Sequence, residues 1–246
     1  MLDTEVTPYE YSSLTKKQQV EQMFDNISSR YDMLNRFFSF GIDLRWRKKV
    51  VCLLRKFYPN ELLDVAAGTG DMSIMVAKYF PASRVIGLDI SEGMLDVARK
   101  KVLFKRLEQR ISLMQGDTEK IPFDMDRFDA VTVAFGVRNF ERLEVALREI
   151  HRVLKPEGVA LILEFSHPKR AFVKHLYRLY SYYMKFVGRM FSKDPVAYDY
   201  LPRSVAAFSC GDMEKILKTC GFSECYTIPL TFGVVSIYVA QKSKSL

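Results

Sequence analysis

Apolar residues recur along this chain with two spacings, and the change from one to the other marks out its elements. From Glu61 onward, short apolar runs alternate with segments of helical spacing. The runs predict strands over 62–66, 84–89, 111–115, 128–134 and 158–164. Between them, helices are predicted over 71–79, 92–108 and 141–154. In the last of these, Leu143, Ala146, Leu147, Ile150, Val153 and Leu154 fall on one face. Ser91 is positioned to cap the middle helix, and Lys155-Pro156-Glu157-Gly158 to stop the third and turn into a strand. Residues 16–57 read as helices ahead of the first strand, carrying Phe24, Tyr31, Phe37, Phe38 and Trp46. Strands separated by helices predict a parallel sheet with crossover helices on both faces. The tail breaks the alternation: a helix near 211–220, a short strand near 223–228 and a strand over 231–240. Too few residues separate those strands for a parallel crossover, so the last one should enter the sheet antiparallel.

The first strand runs into Asp64-Val65-Ala66-Ala67-Gly68-Thr69-Gly70-Asp71, a small-residue loop opening a helix. Such a loop leaves backbone N–H groups free for a ligand and lets the main chain approach it closely. The second strand ends in Asp89, about twenty residues further on, where a carboxylate can accept from a pair of ribose hydroxyls. A dinucleotide fingerprint would require a third glycine at position 73, and the chain has Ser73. The loop instead resembles the first motif of the Rossmann-like methyltransferases, which use S-adenosylmethionine. An antiparallel final strand favours the same reading over a dehydrogenase.

Composition narrows the class further. The chain has 246 residues, 48% of them hydrophobic, enough for one α/β domain with a substantial core. It contains no apolar run long enough to span a membrane, and residues 1–20 have no signal-peptide core. Cys52, Cys210, Cys220 and Cys225 show no C-x-x-C spacing, so we expect reduced thiols, a cytoplasmic setting and no metal. The net charge of +8 favours an anionic partner, lipid or nucleic acid. Between Lys169 and Lys193 seven basic residues occur without one acid, interleaved with aromatic and aliphatic residues. That composition suits a helix lying at an anionic membrane surface, or equally a core helix with a solvated basic face.

Four segments carry a closer likeness. They are Phe24-Asp25-Asn26-Ile27-Ser28-Ser29-Arg30-Tyr31-Asp32-Met33-Leu34-Asn35 with Ser39-Phe40-Gly41-Ile42 and Trp46 after it, the glycine loop, Phe135-Gly136-Val137-Arg138-Asn139, and Leu154 to Ser166. Over nearly its whole length the chain resembles the quinone C-methyltransferases, the demethylmenaquinone and ubiquinone/menaquinone C-methyltransferase family. The resemblance implies one methyltransferase domain over 1–246: a helical cap (1–60), a cofactor-binding core (61–165), a basic aromatic helical insertion (166–203) and a C-terminal helix with strands (204–246). It implies C-methylation of demethylmenaquinol, or of a polyprenyl methoxy-benzoquinol, by an enzyme peripheral to the membrane. No nucleic acid is implied, and a homodimer stays open.

Carried over residue by residue, the resemblance sets Asp64, Gly68, Thr69 and Gly70 about the methionine end of S-adenosylmethionine. Asp89 then meets the ribose hydroxyls, and Asp117 with the Thr118 N–H meets the adenine. Arg138 becomes the stabiliser of a substrate phenolate, with Asn139 orienting a ring oxygen. Tyr31 and Asp32 close over the substrate, and His167 is a candidate base. The chain departs from the family pattern at Ala67, Thr118, Ala134 and Glu157. We read the last as a turn position open to any residue.

Overall fold

The computed structural model describes residues 6–9, 11–166, 168, 195–208 and 213–244. The chain opens with two helices, α1 (Lys16–Ser39) and α2 (Ile42–Leu54). There follow β1 (Glu61–Val65), α3 (Asp71–Tyr79), β2 (Arg84–Asp89), α4 (Glu92–Phe104), β3 (Ile111–Gln115) and β4 (Phe128–Ala134). Next come α5 (Leu143–Val153), β5 (Leu154–Phe165), α6 (Pro195–Ala207), α7 (Met213–Thr219), β6 (Glu224–Leu230) and β7 (Val235–Gln241). The strands form one seven-stranded sheet in the order β3-β2-β1-β4-β5-β7-β6. The first five are parallel, and β7 pairs antiparallel with both β5 and β6. This is the Rossmann-like α/β fold with an antiparallel terminal strand that the sequence predicted.

Residues of alternate parity build the two faces of the sheet. Leu63, Val131, Ala160 and Tyr238 pack with α5 and α7, whereas Leu62, Ala130, Leu161 and Val239 pack with α2 and α3. Such central strands are apolar on both sides because both sides are covered. Thr15 and Gln18 form a reciprocal capping box at the start of α1. Ser91 caps α4 as predicted, accepting from the Met94 N–H at 3.1 Å. Its hydroxyl also donates to Asp25 at 2.6 Å and so fastens α1 to that helix.

Three strand and helix boundaries move by four residues. The helix predicted over 92–108 ends at Phe104, with Arg106 in left-handed backbone. Thr231–Gly233 form a 3-10 turn, so the last strand starts at Val235. Lys155 to Gly158 lie inside β5, where the pairing with β4 shifts register between Phe128 and Ala130. Glu157 there has φ +64°, which corrects the reading of this position as open to any residue. Left-handed backbone costs a residue with a Cβ about 1–2 kcal/mol, and glycine regains about 0.4–1 kcal/mol of freedom when unfolded. Glu157→Gly is therefore expected to stabilise by about 0.5–1 kcal/mol and raise Tm by about 2 °C in a melting experiment. An unchanged or lower Tm would mean that the backbone strain is not felt.

Candidate functional site

A cleft opens at the C-terminal ends of β1, β2 and β4, where the strand order reverses and ligands of open α/β sheets gather. It encloses about 700 Å³, counting its mouth, and Ala66, Gly68, Asp89, Asp117, Thr118 and Asn139 all line it. Gly68 has φ +56°, and a Cβ placed on it would meet nothing within 4 Å. The loop is therefore held in a glycine conformation whose open side a ligand can approach. Asp89 accepts from the Gly68 N–H at 2.7 Å and the Ser91 N–H at 2.9 Å. Burial nevertheless pushes its pKa up to about 6. Asp117 accepts from the Glu119 N–H at 2.9 Å and pairs with Lys17 of α1 at 2.6 Å. Lys17 also reaches Glu119 at 3.2 Å, so α1 closes one wall of the cleft.

Two residues expected at the cofactor face inward or sideways instead. Asp64 lines neither cavity. It is buried behind the loop, accepting from Ser73 Oγ at 2.5 Å and Thr132 Oγ1 at 2.7 Å, and burial pushes its pKa up to about 6. The Thr69 hydroxyl donates to Asp32 Oδ1 at 2.5 Å, and Lys101 holds the other Asp32 oxygen at 2.6 Å. Lys101 and Arg36 both pair with Asp71 at the start of α3. Asp32 thus ties α1 to the glycine loop and does not face the substrate side, which corrects the reading that it closes over the substrate. Gly70, at φ +77°, begins α3 behind the cleft.

A second cavity, of about 1240 Å³ counting its mouth, adjoins the first and shares Phe24, Tyr31 and Phe135 with it. Its wall is largely apolar: Met23, Ile27, Phe38, Trp46, Phe165 and Leu201 all contribute. Trp46 and Phe165 flank Phe135 with ring centroids 6.0 and 5.0 Å away. Two cations, Arg47 and Arg138, are set into this wall. Arg138 Nη1 donates to Glu164 Oε1 and to the Phe135 carbonyl, both at 2.7 Å, whereas its buried Nε has no hydrogen-bond partner. Burial alone would lower the Arg138 pKa, but Glu164, Tyr31 and Tyr200 together outweigh it and hold the guanidinium above its ordinary value. At Glu164 burial dominates and pushes the carboxyl upward against the pull of Arg138. Asn139 accepts from the Tyr200 hydroxyl of α6 at 3.1 Å, and burial pushes the Tyr200 pKa up to about 12.

The cleft thus gathers Gly68, Asp89, Asp117, Thr118 and Asn139, with Tyr31 between the two cavities. Arg138 lies on the second. His167 and the segment Lys169–Lys193 fall outside the described residues. His151 packs edge-on to Phe222 at 5.1 Å, away from both cavities. The sequence reading gave no role to Glu164, Tyr200 or Lys17. Glu164 did carry a signal, because an acid inside the apolar run Leu161-Ile162-Leu163-Glu164-Phe165 must find a cation when buried. Among the described residues no cluster of His, Cys, Asp and Glu could hold a metal ion.

A glycine-cradled cleft with a buried acid at the end of β2, under a sheet that closes antiparallel, marks a methyltransferase that draws on S-adenosylmethionine. The architecture agrees with solved structures: phosphoethanolamine N-methyltransferase 2 of Haemonchus contortus, in complex with S-adenosyl-L-methionine, superposes with a TM-score of 0.58 at 17% identity. That match covers 80% of this chain and 53% of the other, and at such identity it shows the fold alone. More specifically, the chain belongs to the ubiE/COQ5 methyltransferase family, whose family model matches residues 12–242. It is 44% identical over 229 residues to the demethylmenaquinone methyltransferase of Bacteroides fragilis, covering 92% of this chain and 94% of that one. It is 40% identical over 246 residues to the ubiquinone/menaquinone biosynthesis C-methyltransferase of Geobacter sulfurreducens, covering 98% and 94%.

Proposed function

We propose that this enzyme methylates the ring carbon of demethylmenaquinol to give menaquinol. The observation that carries the reading is the large apolar cavity joined to the cofactor cleft through Phe24, Tyr31 and Phe135. A lipid quinol needs an apolar chamber for its ring and the start of its prenyl tail, and a polar edge for its oxygens. Relatives of the chain bear both demethylmenaquinone and ubiquinone/menaquinone names, so a polyprenyl methoxy-benzoquinol is the second reading.

The donor brings a methyl group already activated on a sulfonium, so the protein's task lies with the acceptor. A neutral hydroquinone ring is a weak nucleophile, and losing a phenolic proton, of pKa about 10 as in tyrosine, pushes electron density onto the ring carbon. The carbon then takes the methyl group, the carbon–sulfur bond breaks toward sulfur, and loss of the ring proton restores the aromatic system. Arg138 is our candidate for stabilising the phenolate: its buried Nε, like that of Arg47 in the same wall, has a hydrogen-bond donor still to satisfy, and its neighbour Asn139 lines the cofactor cleft. Asn139, held by Tyr200, would orient the ring oxygen, with Tyr31 lining the junction where ring and donor meet. His167 remains the candidate base. On the donor side, Asp89 would take the ribose hydroxyls, and Asp117 with the Thr118 N–H the adenine. Asp64 and the Thr69 hydroxyl would act by holding the loop of Gly68 and Gly70 in shape.

The polyprenyl tail keeps such a substrate in the bilayer, so the enzyme works at the membrane surface, on the cytoplasmic side. No described helix is long and apolar enough to cross a membrane. Purified enzyme, labelled S-adenosylmethionine and demethylmenaquinol should yield labelled menaquinol by mass spectrometry. A strain lacking the gene should accumulate demethylmenaquinone. Turnover of the benzoquinol alone would favour the second reading, and turnover of neither would overturn both.

A further inference from the structure

The apolar cavity opens beside a corner where α1 ends and α2 begins. The turn between β6 and β7 stands next to it, joined by the Trp46 indole N–H donating to the Thr231 hydroxyl at 2.8 Å. Met33, Phe37, Phe40 and Leu44 on the helical side and Phe232 on the turn are all exposed. Phe40 and Phe232 are each 75% exposed, and both sit in left-handed backbone, at φ +50° and +57°. Such backbone is costly for a residue with a Cβ, and a ring three-quarters exposed recovers little of that cost by packing. Glycine would suit either position better for folding alone. The fold therefore spends stability on holding two aromatic rings outward at the cavity mouth.

Charge around the corner has one sign. Between Met33 and Lys56 the single acid is Asp43, 4% exposed and paired with Arg36 and Arg47. Over the same stretch Arg45, Lys48, Lys49, Arg55 and Lys56 are exposed. Apolar rings at the tip with cations behind them match a bilayer, where acyl chains lie beneath a layer of lipid phosphates.

We propose that this corner docks the enzyme on an anionic lipid bilayer, with Phe40, Leu44 and Phe232 entering the headgroup–acyl boundary and the α2 cations meeting lipid phosphates. The cavity mouth then faces the membrane. What passes through that mouth rests on the lipid-quinol reading above; the docking surface rests on exposure, strain and charge.

The test is co-sedimentation of the full chain with vesicles of phosphatidylcholine, with and without phosphatidylglycerol, at low and high salt. Two variants separate the contributions: Leu44→Ser with Phe232→Gly, neither of which lines the cavity, and Arg45→Gln with Lys48→Gln and Lys49→Gln. Wild type should bind phosphatidylglycerol vesicles and release them at high salt. Each variant should lose roughly tenfold or more in vesicle partition. Phe232→Gly alone should keep or raise Tm, which separates lost docking from lost folding. Turnover of a water-soluble short-chain quinol should not change, while KM for a long-chain quinol carried in vesicles should rise. Unchanged partition in both variants, or binding indifferent to phosphatidylglycerol, would overturn the proposal. So would loss of a dimer in sedimentation velocity with vesicle binding intact, because the corner would then be a subunit contact. Vesicle binding without methylation of either quinol would leave the docking surface standing and remove the quinol reading.

Discussion

Arg138→Leu is expected to lower kcat by about a hundred- to a thousandfold, the usual effect of losing one donor to a developing oxyanion. It should also destabilise the fold by about 3–5 kcal/mol, because Glu164 would be left buried without its cation. The two effects are separable. A buried ion pair replaced on both sides by apolar groups is often neutral or stabilising. Arg138→Leu combined with Glu164→Leu should therefore recover most of the lost Tm and none of the lost kcat. S-adenosylmethionine affinity, read by calorimetry, should barely move in the double variant, since Arg138 lines the apolar cavity and not the cofactor cleft. Near-normal turnover in the refolded double variant would remove Arg138 from the chemistry and reduce the pair to a structural element.

Asp89→Ala should weaken S-adenosylmethionine binding by about thirty- to several-hundredfold, the equivalent of about 2–4 kcal/mol for two hydrogen bonds to a charged acceptor. The direction with pH follows from the burial of the group. Without ligand the Asp89 pKa stands at about 6, because burial opposes its charge. Ribose hydroxyls donate to the carboxylate and would lower that value in the complex. Binding below pH 6 must then expel a proton, so affinity should fall as pH drops from 7 to 5, and Asp89→Ala should flatten the profile. Calorimetry in buffers of different ionisation heat would detect the proton directly. Affinity independent of pH in wild type, or NAD bound in preference to S-adenosylmethionine, would sink the assignment of Asp89.

The alternation of apolar runs and helical segments was enough to predict the sheet, its crossovers and its antiparallel ending. Those features follow from local periodicity and loop length: buried parallel strands are continuously apolar, and a short connection cannot cross over. Gly68 and Asp89 were legible for the same reason, being fixed at the ends of β1 and β2. What the sequence could not show was which side chains meet across long separations. Asp64 and Asp89 both lie at or near the C-terminal ends of apolar strands, yet one is held behind the loop by Ser73 and Thr132, and the other faces the cleft. Asp32 lies beside Tyr31 in the chain, but successive residues on α1 point to different neighbours, so one lines the cavities and the other grips Thr69. The partners of Arg138 and Asn139 come from β5 and α6, at separations of 26 and 61 residues. Strand and helix identity is decided within a few residues, whereas a buried charge takes its role from whichever distant partner the packing brings within reach.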